Sequence, residues 1–260
     1  MAVKVETDER GVARLTLARP EKRNAMSGEM IDALAAAAAR LGRDPAVRAV
    51  VLDAEGATFC AGGDLGWMRQ QMEADRRQRA AEAARLARML QALNTMPKPL
   101  IARVHGDAFG GGVGLLAVAD VAVGAAGARL GMTETRLGLI PATIGPYVVA
   151  RIGEAMARRV FMSARVFDAE EAVRLGLLAR VVPAEELDAA VEAEVAPYLD
   201  AAPGAVASAK ALVRRLGPAI DDAVIAESIE ALISRWETDE AREGIAAFFE
   251  KRPPRWARPH

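Results

Sequence analysis

Two glycine-rich segments carry the residue types best suited to chemistry: Phe59-Cys60-Ala61-Gly62-Gly63-Asp64 and Phe109-Gly110-Gly111-Gly112-Val113-Gly114. Glycine leaves the backbone uncovered, so amide N–H groups can point at a ligand with no side chain in the way. One such loop can cradle an anion. Two, brought together, can hold one developing negative charge from both sides, which is the physical requirement of an oxyanion hole. Taken singly, each loop is more often a close-packing turn than a catalytic loop, and Asp64 reads as a cap for the helix after it. Their common setting favours function, because each follows an apolar strand-like run and opens a helix-like one. Glu134 stands between Thr133 and Thr135, just after the second glycine unit. A glutamate between threonines is usually solvated, so its candidacy as a proton carrier rests on that position.

Rival glycine chemistries fail on spacing. There is no Gly-x-x-x-x-Gly-Lys-Ser/Thr, and the second segment lacks the Gly-x-Gly-x-x-Gly pattern followed by an acidic residue. His105 and His260 are the only histidines and Cys60 the only cysteine. That leaves little material for a Ser-His-Asp or Cys-His nucleophile or a protein-bound transition metal, and no internal disulfide is possible. His105 reads best as a structural imidazole and Cys60 as a small buried residue. The formal charge of −1 and the low aromatic content speak against a nucleic-acid or membrane-surface role. No apolar N-terminal signal region precedes the first strand, and the apolar stretches are interrupted well short of a membrane span. A reducing cytoplasmic setting is expected.

These loops need a frame to position them. A hairpin opens the chain, its turn over 6–11 and its strand over 12–17. Ser27 caps a helix over 30–41, a strand buried on both faces covers 46–52, and a long polar helix covers 65–93. Met96-Pro97-Lys98-Pro99 breaks that helix before a strand over 100–104. Strand, glycine loop and helix thus recur, with a third unit running from Arg129 to a helix over 147–152: an internal ββα repeat. Beyond Ala155 strand signals fade, and helices are expected near 167–175, 184–199, 203–216, 221–236 and 240–250. The expected organisation is an α/β core over 1–196 and a helical module over 197–260, of a kind that packs subunits together.

At these residues the chain resembles the crotonase family, the enoyl-CoA hydratases and isomerases. The resemblance spans nearly the whole chain and rests on the combination of Asn24-Ala25-Met26-Ser27, both glycine segments, His105-Gly106-Asp107, Ala119-Asp120, Leu137-Gly138-Leu139-Ile140-Pro141, Ala169-Glu170-Glu171-Ala172 with Gly176-Leu177, and Phe248-Phe249-Glu250-Lys251-Arg252. It implies a spiral of ββα units with a helical C-terminal module that builds a homotrimer or a hexamer of two trimers. It also implies an acyl-CoA substrate whose thioester carbonyl is held by the Gly63 and Gly111 amides, with no cofactor beyond the CoA of the substrate and no metal. Lys22, Arg23, Ala61, Asp64 and, from a neighbouring subunit, Lys251 are the implied CoA contacts.

The chain departs from the best-known hydratases at one point. They carry a glutamate two positions after the triple glycine, where this chain has Gly114, and a second that matches Glu134. The stretch from Thr133 to Val148 resembles a bacterial branch that hydrates methylglutaconyl-CoA and related branched, carboxylated enoyl-CoAs in leucine or acyclic-terpene breakdown, and whose members share Gly-Gly-Gly-Val-Gly. Hydration with Glu134 is therefore the favoured expectation. The alternatives are a delta-isomerase using Glu134 alone and a non-catalytic acyl-CoA-binding protein. A carboxylated acyl group would call for a partner, for which Arg69, Arg136 and Tyr147 are the candidates.

Overall fold

The computed structural model describes residues 1–258, so His260 lies outside the described residues. Ten strands and ten α-helices are described, and the strands form two sheets. The first sheet has the order β1 (Val3–Thr7), β2 (Val12–Leu17), β3 (Ala49–Ala54), β5 (Leu100–Val104), β7 (Val121–Ala125) and β10 (Arg180–Val182), parallel except for the β1–β2 hairpin. The second has the order β4 (Thr58–Cys60), β6 (Asp107–Phe109), β8 (Arg129–Gly131) and β9 (Val166–Asp168). Three successive units each send one strand to each sheet (β3 and β4, β5 and β6, β7 and β8), which is the expected ββα spiral.

Burial follows the strand period of two. Val50 and Leu52 of β3, with Leu100, Ala102 and Val104 of β5, face the main core. Ala49 and Val51, with Ile101 and Val123, face the opposite way, onto Leu187, Ala190, Val191 and Val195 of α7 (Leu187–Asp200). A parallel sheet covered on both faces needs such continuous apolar strands. α4 (Gly111–Val118), which follows the second glycine loop, is buried over Gly112–Val118. A short helix apolar all round belongs in the core.

Several details differ from the expectations. The helix expected over 65–93 is two helices, α2 (Leu65–Glu73) and α3 (Arg76–Thr95), parted where Asp75 forms a capping box with Gln78. Strands persist beyond Ala155 as β9 and β10, each too short to show periodicity. The division read at 196/197 falls inside α7, which contains Pro197; the chain leaves that helix at Ala201 and Ala202, ahead of α8 (Pro203–Leu216). α9 (Asp222–Trp236) and α10 (Asp239–Glu250) follow α8. They fold back onto α3 and onto the tight turn Glu134–Leu137 of the same chain. No described helix is long and apolar enough to cross a membrane.

Candidate active site

The two glycine loops leave adjacent parallel strands, β4 and β6, and meet backbone to backbone. Gly62 has φ +94°, and a β-carbon there would sit 3.2 Å from Phe109 O. Gly110 has φ +49°, and a β-carbon there would sit 3.0 Å from Glu134 Oε1 and 3.8 Å from Gly62 Cα. A β-carbon at Gly112 would lie 2.7 Å from Cys60 O. These three glycines are required by close approach, two of them by positive φ as well. Of the two predicted donors, only Gly63 is free of close contacts. A β-carbon at Gly63 would meet only ordinary contacts, the nearest 3.8 Å away on Trp67, and one at Gly111 would collide with the Met26 methyl.

Among the described residues, neither the Gly63 nor the Gly111 amide has a hydrogen-bond partner within the loops. Gly111 is the first residue of α4, where an amide has no intrahelical acceptor and the helix dipole is positive. Both glycines line one cavity of about 410 Å³. Asn24 and Met26 secure the first loop, a role that the sequence reading gave to neither. Asn24 is buried with φ +51°, a conformation that asparagine tolerates. Its Nδ2 donates to Glu55 O and Thr58 O, both at 2.8 Å. The Met26 amide donates to Gly62 O at 2.8 Å, and its carbonyl accepts from the Asp64 amide at 3.1 Å. Their signal was the Asn24-Ala25-Met26-Ser27 motif.

Glu134 opens the turn Glu134–Leu137, directly after β8, and lines the same cavity. The Gly110 amide donates to Gly131 O of β8 at 2.9 Å, so the strand leading to the acid is tied to the second donor loop. Glu134 Oε2 is sealed from solvent and has no hydrogen-bond partner. Burial pushes the carboxyl up to about 7, well above the ordinary carboxylate range. A group of that acidity can both take and return a proton near neutrality.

The missing second carboxylate has a structural counterpart. A β-carbon at Gly114 would lie 2.5 Å from Ile144 Cγ2 and 3.7 Å from Leu90 Cδ2. The space an acid would need is filled by Ile144, itself part of the cavity wall. Among the described residues, Arg23 is the only charged one besides Glu134 that lines the cavity. The rest of the wall is largely apolar and includes Met68, Leu86, Ile140, Leu232, Trp236 and Phe248.

The remaining candidates are distributed unevenly. Arg23 and Ala61 line the cavity, whereas Lys22 is exposed beside it. Asp64 does not line it: its carboxylate accepts from the Gly66 and Trp67 amides as the cap of α2 and pairs with Arg19 at 3.1 Å. Lys251 is exposed at the left-handed end of α10. Arg69 stacks on Phe249 at 4.6 Å, Arg136 is exposed, and the Tyr147 hydroxyl donates to Gln91 Oε1 at 3.1 Å; none of the three lines the cavity. His105 makes a hydrogen bond with Gly56 O at 2.8 Å, and burial pushes the Cys60 thiol up to about 12, so both fit structural roles.

A two-sheet ββα spiral whose paired glycine loops face a buried carboxylate defines a crotonase-type protein. The chain belongs to the enoyl-CoA hydratase/isomerase family of enzymes, whose model matches residues 7–259. It is 38% identical over 259 residues to a Thermus thermophilus protein named, provisionally, as an enoyl-CoA hydratase, covering 97% of this chain and 100% of the relative. It is 31% identical over 265 residues to the mitochondrial methylglutaconyl-CoA hydratase of Homo sapiens, covering 97% and 75% of the two chains. Among solved structures, an enoyl-CoA hydratase of Mycobacterium smegmatis superposes with a TM-score of 0.81 at 37% identity, over 98% of this chain and 99% of the other. AtuE of Pseudomonas aeruginosa gives the same score and identity, over 99% and 100%.

Proposed function

We propose that the protein hydrates a conjugated enoyl-CoA thioester, with Glu134 as the only acid–base group. The observation that carries this reading is the unpartnered, buried Oε2 of Glu134, on the wall of the cavity that both free glycine amides also line. The thioester oxygen accepts from the Gly63 and Gly111 amides, which draws electron density from the β-carbon. Glu134 removes a proton from a water, and the water oxygen bonds to that carbon. The electron pair of the double bond moves to the α-carbon and the thioester oxygen, as an enolate held by the two amides. Protonated Glu134 then returns its proton to the α-carbon. One carboxylate serves both steps because water enters and leaves no other product.

The acyl group that suits this cavity is apolar and uncharged. A carboxylated group of the methylglutaconyl kind would lie among apolar side chains, with Arg69, Arg136 and Tyr147 all engaged or outside, and an unpaired buried charge is costly. For CoA, Arg23 and Ala61 at the cavity and Lys22 beside it suit the phosphates and the adenine, with Lys251 as a contact from a neighbouring copy. Exposed Leu212, Val213 and Leu216 of α8 suit contacts between copies, in a trimer or a hexamer that sedimentation would count.

A second reading draws on Ile144 filling the space beside Gly114: a lone acid also suffices to move a proton between carbons, as an isomerase. The two differ in one assay. Hydration of a 2-enoyl-CoA lowers the conjugated absorbance and carries oxygen from labelled water into the product. Isomerisation of a 3-enoyl-CoA raises that absorbance and incorporates none. If Glu134→Gln kept wild-type turnover, both readings would fail.

A further inference from the structure

The turn that carries Glu134 closes on its own backbone hydrogen bonds and is also held from outside, by the C-terminal helices. Gly138, which closes the turn, has φ +72°, and a β-carbon there would sit 2.5 Å from the carbonyl carbon and oxygen of Glu240 and 2.7 Å from the Ala241 amide of α10. Gly244 of α10 faces the turn in return, and a β-carbon there would sit 2.5 Å from the Leu137 carbonyl. Two glycines thus let a helix backbone and a turn backbone touch directly. Arg235 of α9 adds a two-pronged contact, donating from Nε at 3.1 Å and from Nη2 at 2.8 Å to Gly138 O. Glu240 pairs with the same guanidinium. Beneath these contacts Leu139, Trp236, Ala241 and Ile245 form an apolar cluster separate from the main core. Trp236 of this cluster also lines the cavity.

We propose that Arg235 is a positioning residue: through Gly138 O, and together with the Gly138–Gly244 backbone contact, it fixes the turn that aims Glu134 into the cavity. The inference rests on the reading of Glu134 as the acid–base group. The arginine does not line the cavity, so its effect is on geometry. A carboxylate displaced by an ångström or so loses one to two orders of magnitude in rate. The charged groups facing the turn are Arg136 on the turn itself, Arg235 from α9 and Glu240 from α10. Releasing the turn admits water to Glu134 Oε2, and solvation favours the carboxylate.

The test compares Arg235→Gln, Arg235→Lys and Glu134→Gln in the full chain, with folding checked by circular dichroism and by binding of a saturated acyl-CoA. For Arg235→Gln we expect kcat to fall roughly ten- to a hundredfold with KM little changed. The acid limb of its kcat profile should move below the wild-type value, and Arg235→Lys, which keeps one donor, should recover part of both. If a folded Arg235→Gln keeps wild-type kcat and an unmoved limb, the inference fails, as it does if kcat falls with KM rising and the limb fixed. Should Arg235→Gln not fold, Arg235→Lys carries the same readouts: a smaller shift in the same directions supports the inference and none overturns it. Loss of turnover in Glu134→Gln beside an unaffected Arg235→Gln sinks this inference alone. Turnover retained by Glu134→Gln sinks the functional reading and this inference with it.

Discussion

The two halves of the site are built by opposite means. The amide donors belong to backbone: loops leaving adjacent strands, stitched together by Gly62 against Phe109 and Gly112 against Cys60, with Met26 bridging to the first loop and, behind the second, a helix buried from Gly112 onward. The acid belongs to a short turn outside the sheets, pinned by α9 and α10 through Arg235 and Gly244. Hydrogen-bond donors that meet a developing charge gain from being fixed before it appears. A carboxylate that must lose and regain one proton gains instead from a dry surrounding that holds its pKa near neutrality. The main core serves the first requirement, and the smaller apolar cluster of Leu139, Trp236, Ala241 and Ile245 beside the turn serves the second.

Disturbing the donor half carries the largest effect. Gly110→Ala places a β-carbon at positive φ, at about 1–3 kcal/mol of backbone strain, and pushes it toward Glu134. Steady-state kinetics should show kcat reduced by roughly a hundredfold or more, the scale of one lost oxyanion donor. Gly63→Ala is the sharpening counterpart and the smallest effect, since that position has room for a methyl and keeps its amide. Its kcat should stay within a few-fold of wild type. Equal damage from both variants would mean that the loops are not divided into packing glycines and donor glycines.

Between these extremes lies a stability prediction for the acid half. The folded pKa of Glu134, about 7, stands above the ordinary value of 4.5. Between those two pH values the folded chain retains a proton that the unfolded chain has released, so this group makes stability fall as pH rises through the interval. Above it the full cost is present. Glu134→Gln, which cannot ionise, should therefore unfold at higher temperature than wild type at pH 8, by the equivalent of at most roughly 3 kcal/mol, with the difference vanishing toward pH 4. A stability gain over wild type no larger at pH 8 than at pH 4 would show the carboxylate to be solvated.

The donor half was the more legible in sequence, and for the same structural reason. The glycine runs stand out in the sequence and hold the positions of close backbone approach, Gly62 and Gly112 among them, and the helices over 203–216 and 221–236 show plainly in their apolar spacing. Three-residue strands such as β4, β6 and β8 carry too few positions for a period to register. Gly114 was legible as a missing acid, but only tertiary packing shows Ile144 in its place. Asp64 had two readings, and its carboxylate is engaged as a helix cap. Arg235 left no signal, since it acts on a backbone carbonyl nearly a hundred residues away in sequence.

The most direct measurement is the pH dependence of kcat for hydration of a conjugated, uncharged enoyl-CoA, in wild type and in Glu134→Gln. The wild-type rate should rise through a single acid limb near 7. In Glu134→Gln the rate should be lower by about a hundredfold or more, with that limb absent. A wild-type profile with no limb near neutrality, or a glutamine variant that keeps both the rate and the limb, would contradict the role of Glu134 as the acid–base group.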